Sequence, residues 1–238
     1  MTERAAGTTP LHLAFDTGSP WVSVALARGG EPVAVRAAVM ERSSNQVLEM
    51  MRAVLAEGGA RPADLDGIVA LRGPGSFTGV RIGLATALGF HQSLGVPATA
   101  LSTFEVLAAA AEPGPGSVVI AAVDALRGDQ HVQAFRGDEP LGEAELVPTV
   151  EIPALFDRLG GDRRILAGFG LDRLGLSGDI HLFEPRPERP LALVAARLAA
   201  LPEAVWDPGL LVAPLYSRPP AITLPKPRPK TQTLPSPR

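Results

Sequence analysis

Asp16 and Asp124 have the clearest claim to chemistry in this chain. Each follows an apolar run, Leu11-His-Leu-Ala-Phe15 in one case and Val118-Val-Ile-Ala-Ala-Val123 in the other, and each opens a turn. A carboxylate in that setting needs a positioned base, a metal partner or a nucleotide loop before it can act. The four histidines, His12, His91, His131 and His181, are scattered, and no two stand at the i, i+4 spacing that places two ligands on one helical face. The chain has no cysteine, which excludes disulfides, thiolate metal sites and cysteine nucleophiles. Gly73-Pro74-Gly75-Ser76-Phe77-Thr78-Gly79 is glycine-rich, but Val80 stands where a phosphate-binding loop needs lysine, and Thr78 and Arg81 depart from a dinucleotide fingerprint. Gly168-Phe169-Gly170 is the remaining trace of a nucleotide motif, too short to hold one unaided. On the residues alone, each Asp is most simply a turn-former that accepts a hydrogen bond from the backbone two residues on.

The elements around the two carboxylates repeat. In the first copy a strand ends at Phe15, Asp16-Thr17-Gly18-Ser19-Pro20 turns, Trp21 to Leu26 runs back, Gly29-Gly30-Glu31-Pro32 turns again and Val33 to Val39 makes a third strand. At an offset of 108 residues Asp16 falls on Asp124, Ala14 on Ala122, Val24 on Val132, Arg28 on Arg136, Gly29 on Gly137 and Glu31-Pro32 on Glu139-Pro140. That many matches in one register mark a duplicated three-stranded unit. Helices and strands alternate after each copy. In the first, Ser43 or Ser44 caps a helix carrying Val47, Leu48, Met51, Val54 and Leu55, stopped by Gly58-Gly59, and a buried strand Ile68 to Leu71 precedes helices from Thr78 to Leu94 and from Thr103 to Ala111. In the second, Ile152 to Leu159 and Leu191 to Leu201 read as helices, with Arg164 to Ala167 a strand between them. The expected fold is α/β: two ribonuclease-H-like halves facing across a cleft, with mixed sheets flanked by helices, as in actin, Hsp70 and sugar kinases. The divisions are residues 1–10 as a disordered N-terminus, 11–112 and 113–218 as the two halves, and 219–238 as a tail.

Composition supports that plan. With 238 residues and 46% hydrophobic content the chain can build a sizeable core. Its net charge of −3 gives no field for holding a polyanion across the body. From Pro208 onward, however, come Arg218, Lys226, Arg228, Lys230 and Arg238 with no acid, and seven prolines lie between Pro219 and Pro237. Such a stretch buries too little apolar area to offset its ordering entropy, so it reads as a disordered or polyproline-like tail, whether a plain solubilising end or a contact for a partner or RNA. The first ten residues lack the apolar core of a signal peptide, and no stretch of eighteen apolar residues occurs, so a cytoplasmic protein with no membrane contact is expected.

Leu71 to Gly89, LRGPGSFTGVRIGLATALG, is the most informative segment. Gly73-Pro74-Gly75 makes a tight turn, Ser76 or Thr78 caps a helix, and Gly79, Gly83 and Ala87 line up at i, i+4 spacing as a stripe without bulk. Interior glycine costs a helix roughly 1 kcal/mol relative to alanine, so something must offset it. Two readings stand: the stripe packs on the chain's own sheet, or it faces outward to a helix of a partner while Val80, Leu84 and Leu88 face the core.

The string GPGSFTGVRIG, residues 73 to 83, resembles the signature of the TsaB (YeaZ) family. Leu13-Ala-Phe-Asp-Thr17, Leu101-Ser-Thr103, Val123-Asp124-Ala125 with Arg127, and Pro214-Leu-Tyr216-Ser-Arg218 resemble further family segments, so the likeness covers Leu11 to Arg218. Two departures stand out: Ser44 occupies the place of a usual histidine, and Arg127 is displaced by one residue.

The resemblance implies a catalytically inactive scaffold of the bacterial machinery that places threonylcarbamoyl on a tRNA adenosine. Its implied partners are a TsaD-like catalytic subunit, a TsaE-like ATPase and, through the complex, tRNA; alone, the chain could form a homodimer on the same surface. No cofactor of its own is implied, ATP and threonylcarbamoyl-AMP being used by the complex. The implied partner surface is a helix bundle using Met50, Met51 and Val54 from one helix and Thr78, Gly79, Val80, Gly83, Leu84 and Ala87 from the next. In catalytic members of the superfamily the two Asp turns flank a metal-nucleotide, which makes Asp16, Thr17 and Asp124 candidates for a nucleotide cleft. The alternative is a stand-alone small kinase or ATPase of the same fold; a glycoprotease has no support from residue spacing.

Overall fold

The computed structural model describes residues 9–39, 45–176 and 178–216. The expected caps Ser43 and Ser44, and the tail from residue 219, lie outside these. The first sheet begins with β1 (Leu11–Asp16), β2 (Trp21–Arg28) and β3 (Glu31–Val39), an antiparallel meander in which Phe15 stands opposite Val24 and Val24 opposite Arg36. Helix α1 (Asn45–Glu57) follows, then β4 (Gly67–Leu71), α2 (Phe77–Leu94), β5 (Ala98–Leu101) and α3 (Thr103–Ala110). Strands β4 and β5 join in parallel, giving the order β3-β2-β1-β4-β5.

The second copy repeats this with β6 (Ser117–Asp124), β7 (Asp129–Arg136), β8 (Glu139–Pro140), β9 (Glu145–Pro148), α4 (Ile152–Leu159), β10 (Arg163–Ala167), β11 (His181–Phe183) and α5 (Leu191–Leu198). Its order is β11-β10-β6-β7-β8, with β9 also on β7. The antiparallel hairpin continued by two parallel strands is the same in both sheets, as the duplication requires. The third strand of the second copy is split into β8 and β9, and both pair with β7.

The helices do not respect the division at residue 112. Helices α1 and α2 cover one face of the first sheet, where Val47, Met51, Val54, Val80, Leu84 and Ala87 pack on Leu13, Phe15, Val24 and Ile68. On its other face lies α5, from the second half: Ala192 N–H donates to Ser23 Oγ of β2 at 3.4 Å, and Ala192 and Leu193 pack on Ala25. Helix α3, from the first half, shares a core with both sheets, Phe104 and Leu107 meeting Val69 and Leu71 on one side and Val119, Phe135 and Ile165 on the other. The two halves are therefore welded by exchanged helices, not simply apposed.

The segment after α5 is packed on the body as far as residue 216, which includes residues from Pro208 onward that the sequence suggested were tail. Trp206 lies over Gly67 and against His12, ring centroids 5.1 Å apart, residues 208–212 form a 3-10 turn with Leu211 buried, and Leu215 N–H donates to Arg72 C=O at 2.7 Å. Apolar side chains every few residues, Trp206, Leu210, Leu211 and Leu215, give this stretch an area to bury.

Candidate functional site

The two glycine-bearing turns of the first half interlock. Ser76 N–H donates to Gly18 C=O at 2.7 Å, and a Cβ on Gly75 would stand 2.5 Å from that same oxygen, so only glycine permits the approach. Ser76 then caps α2, its hydroxyl accepting from Gly79 N–H at 3.3 Å, and Gly95 in the left-handed conformation closes the helix. Once launched, α2 lies on Thr17: the Thr17 hydroxyl donates to Gly79 C=O at 2.7 Å, and a Cβ on Gly83 would run into that hydroxyl.

This corrects the outward reading of the small-residue stripe. Gly79, Val80, Gly83, Leu84 and Ala87 are all buried within the chain itself, and so are Met51 at 1% exposure and Val54 at 0%. The glycines are offset by close packing on the Asp16-Thr17 turn and Phe15. Of the expected partner residues, only Thr78 is exposed and Met50 half-buried. The surface that α1 and α2 do present carries Leu48, Met50, Ile82, Ala85, Leu88 and Gly89. A Cβ on Gly89 would meet nothing within 4 Å, so the open notch of α2 is there. Gly89 was in view in the sequence, but the stripe Gly79-Gly83-Ala87 had the more regular spacing.

The nucleotide-cleft expectation is corrected for Asp16 and Thr17. Asp16 is 1% exposed, and its Oδ1 accepts from Gly18 N–H at 2.8 Å and Ser19 N–H at 3.3 Å. Burial pushes its carboxyl up from the ordinary value, with the Ser19 and Gly18 hydrogen bonds opposing. Thr17, 3% exposed, is spent on Gly79. Asp124 is exposed, and its Oδ1 accepts from Leu126 N–H at 2.8 Å, the counterpart of the Gly18 bond at the same offset of 108 residues. Both carboxylates are thus turn-formers, one under a helix and one in solvent.

Between them the halves touch. Phe169, just past β10, meets Trp21 at the start of β2 edge to face, 5.9 Å between centroids, and a Cβ on Gly168 would stand 2.5 Å from Ala122 C=O. Gly168-Phe169-Gly170 therefore seats one aromatic ring across the seam. Among the described residues no group of three or more His, Cys, Asp or Glu side chains could hold a metal ion. His12 and His131 are pushed below the ordinary imidazole range by burial, with Asp66 and a backbone bond to Ala196 opposing at His12. His131 stands edge-on to Phe104, 5.3 Å between centroids, and lines no shared site with His12.

Two sheets of one strand order, welded by exchanged helices, define a ribonuclease-H-like pair of the actin, Hsp70 and sugar-kinase class. Residues 37–138 match the family model described as TsaD, tRNA N6-adenosine threonylcarbamoyltransferase. The chain is 34% identical over 128 residues to the tRNA threonylcarbamoyladenosine biosynthesis protein TsaB of Escherichia coli strain K12, an alignment covering 53% of this chain and 55% of that protein. It is 29% identical over 195 residues to the TsaB protein of Bacillus subtilis strain 168, covering 76% of this chain and 84% of that one. The solved structure of YeaZ from Pseudomonas aeruginosa superposes with a TM-score of 0.69 at 28% identity, covering 87% of this chain and 99% of that one. The chain is similar to proteins of the TsaB (YeaZ) family, and it spans about half the length of the Escherichia coli relative, 55%. No helix among the described residues is long and apolar enough to cross a membrane.

Proposed function

We propose that this chain is a non-catalytic subunit of the machinery that installs threonylcarbamoyl on a tRNA adenosine, and that it acts by holding a TsaD-like catalytic subunit against the outer face of α1 and α2. The notch at Gly89 supports this reading: Ala85 and Gly89 leave space on an exposed helix face flanked by Ile82, Leu88 and, on α1, Leu48 and Met50. Small residues let two helix backbones approach, and methionine adapts to more than one partner. In the absence of the catalytic subunit a second copy of the chain takes the same face. A TsaE-like ATPase completes the assembly, and ATP and threonylcarbamoyl-AMP are used there, not by this chain. The occupation of both Asp turns by backbone hydrogen bonds supports a subunit without a catalytic centre over a stand-alone kinase or ATPase.

Gly89→Leu tests the interface cleanly. It adds bulk where the chain itself has none nearby, and it removes an interior glycine that costs a helix roughly 1 kcal/mol, so the variant keeps or gains stability. Co-expressed with the matching TsaD-like and TsaE-like proteins, it is expected to lose co-purification and the modified nucleoside in tRNA. Pairing that survives Gly89→Leu, modification that proceeds without the chain, or brisk ATP hydrolysis by the isolated chain would each count against the proposal.

A further inference from the structure

We propose that Arg81 is the specificity contact of the outer face of α2, and that the partner helix lying there presents an aspartate or glutamate to its guanidinium. The inference rests on the reading of that face as the seat of a TsaD-like subunit. Phe77, Arg81, Ala85 and Gly89 follow one another at i, i+4 spacing, and all four are exposed. They form one ridge, so a helix packed along it to enter the notch at Gly89 also meets Arg81, two ridge steps and about 12 Å away. Helix α2 runs 18 residues, and Arg81 is the one residue in it with a formal charge. An exposed helix face ordinarily carries charged and polar side chains, whereas aromatic and arginine side chains without Lys, Asp or Glu are the composition of a protein contact. On such a face a lone charge decides which partner fits.

Arg81 is also held in place. Its Nε donates to the Tyr216 hydroxyl at 2.8 Å, and its guanidinium carbon lies 3.8 Å from the centre of the Phe77 ring and 5.6 Å from that of Tyr216. The two rings are 5.0 Å apart. Tyr216 is anchored in turn, since Leu215 N–H donates to Arg72 C=O at 2.7 Å. A side chain fixed before binding costs less to order in a complex. Among the described residues Arg81 makes no ion pair with a carboxylate, and Nε is its one nitrogen engaged in a hydrogen bond. The Nη donors left over match the two oxygens of a carboxylate. If seating Tyr216 were the whole purpose of Arg81, a neutral donor would suffice. A second copy laid α2 against α2 offers Arg81 no acid, so the charge favours the TsaD-like subunit over self-pairing.

The test is biolayer interferometry of the full chain against the matching TsaD-like protein over a salt series. Arg81→Gln is expected to weaken binding about 10- to 100-fold, the effect of losing one charged hydrogen-bonded pair, and to flatten the salt dependence. Arg81→Lys is expected to keep the salt dependence but to recover the affinity only in part, because an ammonium lacks the fork. Arg81→Glu should bind weakest, and one Asp→Arg or Glu→Arg variant of the TsaD-like protein should restore it. Thermal melts of each variant verify folding. Affinity of Arg81→Gln within about twofold of the parent overturns the proposal, as does a loss with the salt dependence unchanged, which would leave Arg81 as a seat for Tyr216. So does the failure of every charge-reversed partner to rescue Arg81→Glu. Pairing that Gly89→Leu breaks and Arg81→Gln spares sinks this contact alone, and absence of pairing by the parent chain sinks both readings.

Discussion

The two Asp turns share one pattern at an offset of 108 residues and do different things. Asp16 and Asp124 accept the same backbone bond, from Gly18 and Leu126, residues separated by the same 108 positions. In the first half, however, Asp16 stands opposite Ser23, while in the second Asp124 stands opposite Gln130, one residue nearer in sequence. The shorter turn drives Leu126 and Arg127 to φ of 65° and 63° and leaves Leu126 69% exposed, where Gly18 and Ser19 sit under α2. A turn carrying only small residues can serve as the foundation for a helix, and a turn of bulkier residues cannot. The first turn therefore sets the height and angle of α2, whose other side is the proposed partner face, whereas the second turn remains free.

The sharpest way to break this contrast is Gly83→Leu. A side chain there must displace either α2 or the Thr17 turn, and overpacking a rigid interior costs typically 1–3 kcal/mol, more where backbone must move. We expect a loss of about 3 kcal/mol or more in urea unfolding, enough to unfold a marginal domain. Gly128→Ala in the second turn, at φ 87° with open space around it, should cost about 1–2 kcal/mol from conformation alone. Equal losses at the two sites would mean that α2 does not rest on the first turn.

The repeat, the three-stranded unit of the first half and most helices were legible because they are written in local patterns: apolar runs, turn residues and a common offset. Helix α4 runs from Ile152 to Leu159, the same residues that the apolar spacing marks. The direction of the glycine stripe was not legible. Gly79, Gly83 and Ala87 satisfy either a sheet or a partner, and only the position of Thr17 across the turn decides between them. The exchange of α3 and α5 was hidden for a related reason, since Ala-rich helices such as Leu191–Leu198 are apolar on most sides and do not announce which sheet they join. The order of Trp206 to Tyr216 was masked by prolines and the basic run beyond it.

A further substitution sharpens the comparison through charge. Asp16 has its carboxyl raised by burial, so the folded chain holds that proton more tightly than the unfolded chain does. The stability it contributes is present below the ordinary value of 3.8 and is lost as pH rises through the folded value. Asp16→Asn keeps an oxygen for Gly18 and Ser19 and carries no charge. The variant should match the parent at low pH and exceed it increasingly toward neutrality, as urea midpoints across pH 3 to 8 would show. A destabilised Asp16→Asn at pH 7 would return the carboxylate to a charged role.

Thr17 has Ala125 as its counterpart at the offset of 108 residues, so Thr17→Ala gives the first turn the second turn's residue. It removes the hydroxyl that bonds Gly79 C=O, worth about 1 kcal/mol net, and a buried methyl worth about 0.8 kcal/mol. The expected loss is about 2 kcal/mol by equilibrium unfolding, with Thr17→Ser recovering about half. If serine recovers nothing, the hydroxyl contact is incidental and the methyl alone supports α2.

The smallest effect should come from the second turn and have the opposite sign. Leu126 holds a left-handed backbone at φ 65° while most of its side chain meets water, so it bears the strain without recovering it through burial. Glycine at this position relieves roughly 1 kcal/mol of steric strain and loses part of that to its greater freedom in the unfolded chain. Leu126→Gly should therefore raise stability by about 0.5 kcal/mol, a shift in urea midpoint small but measurable beside Gly83→Leu. A loss of 1 kcal/mol or more would show instead that the exposed leucine is held by contacts, and the two turns would be more alike than their burial suggests.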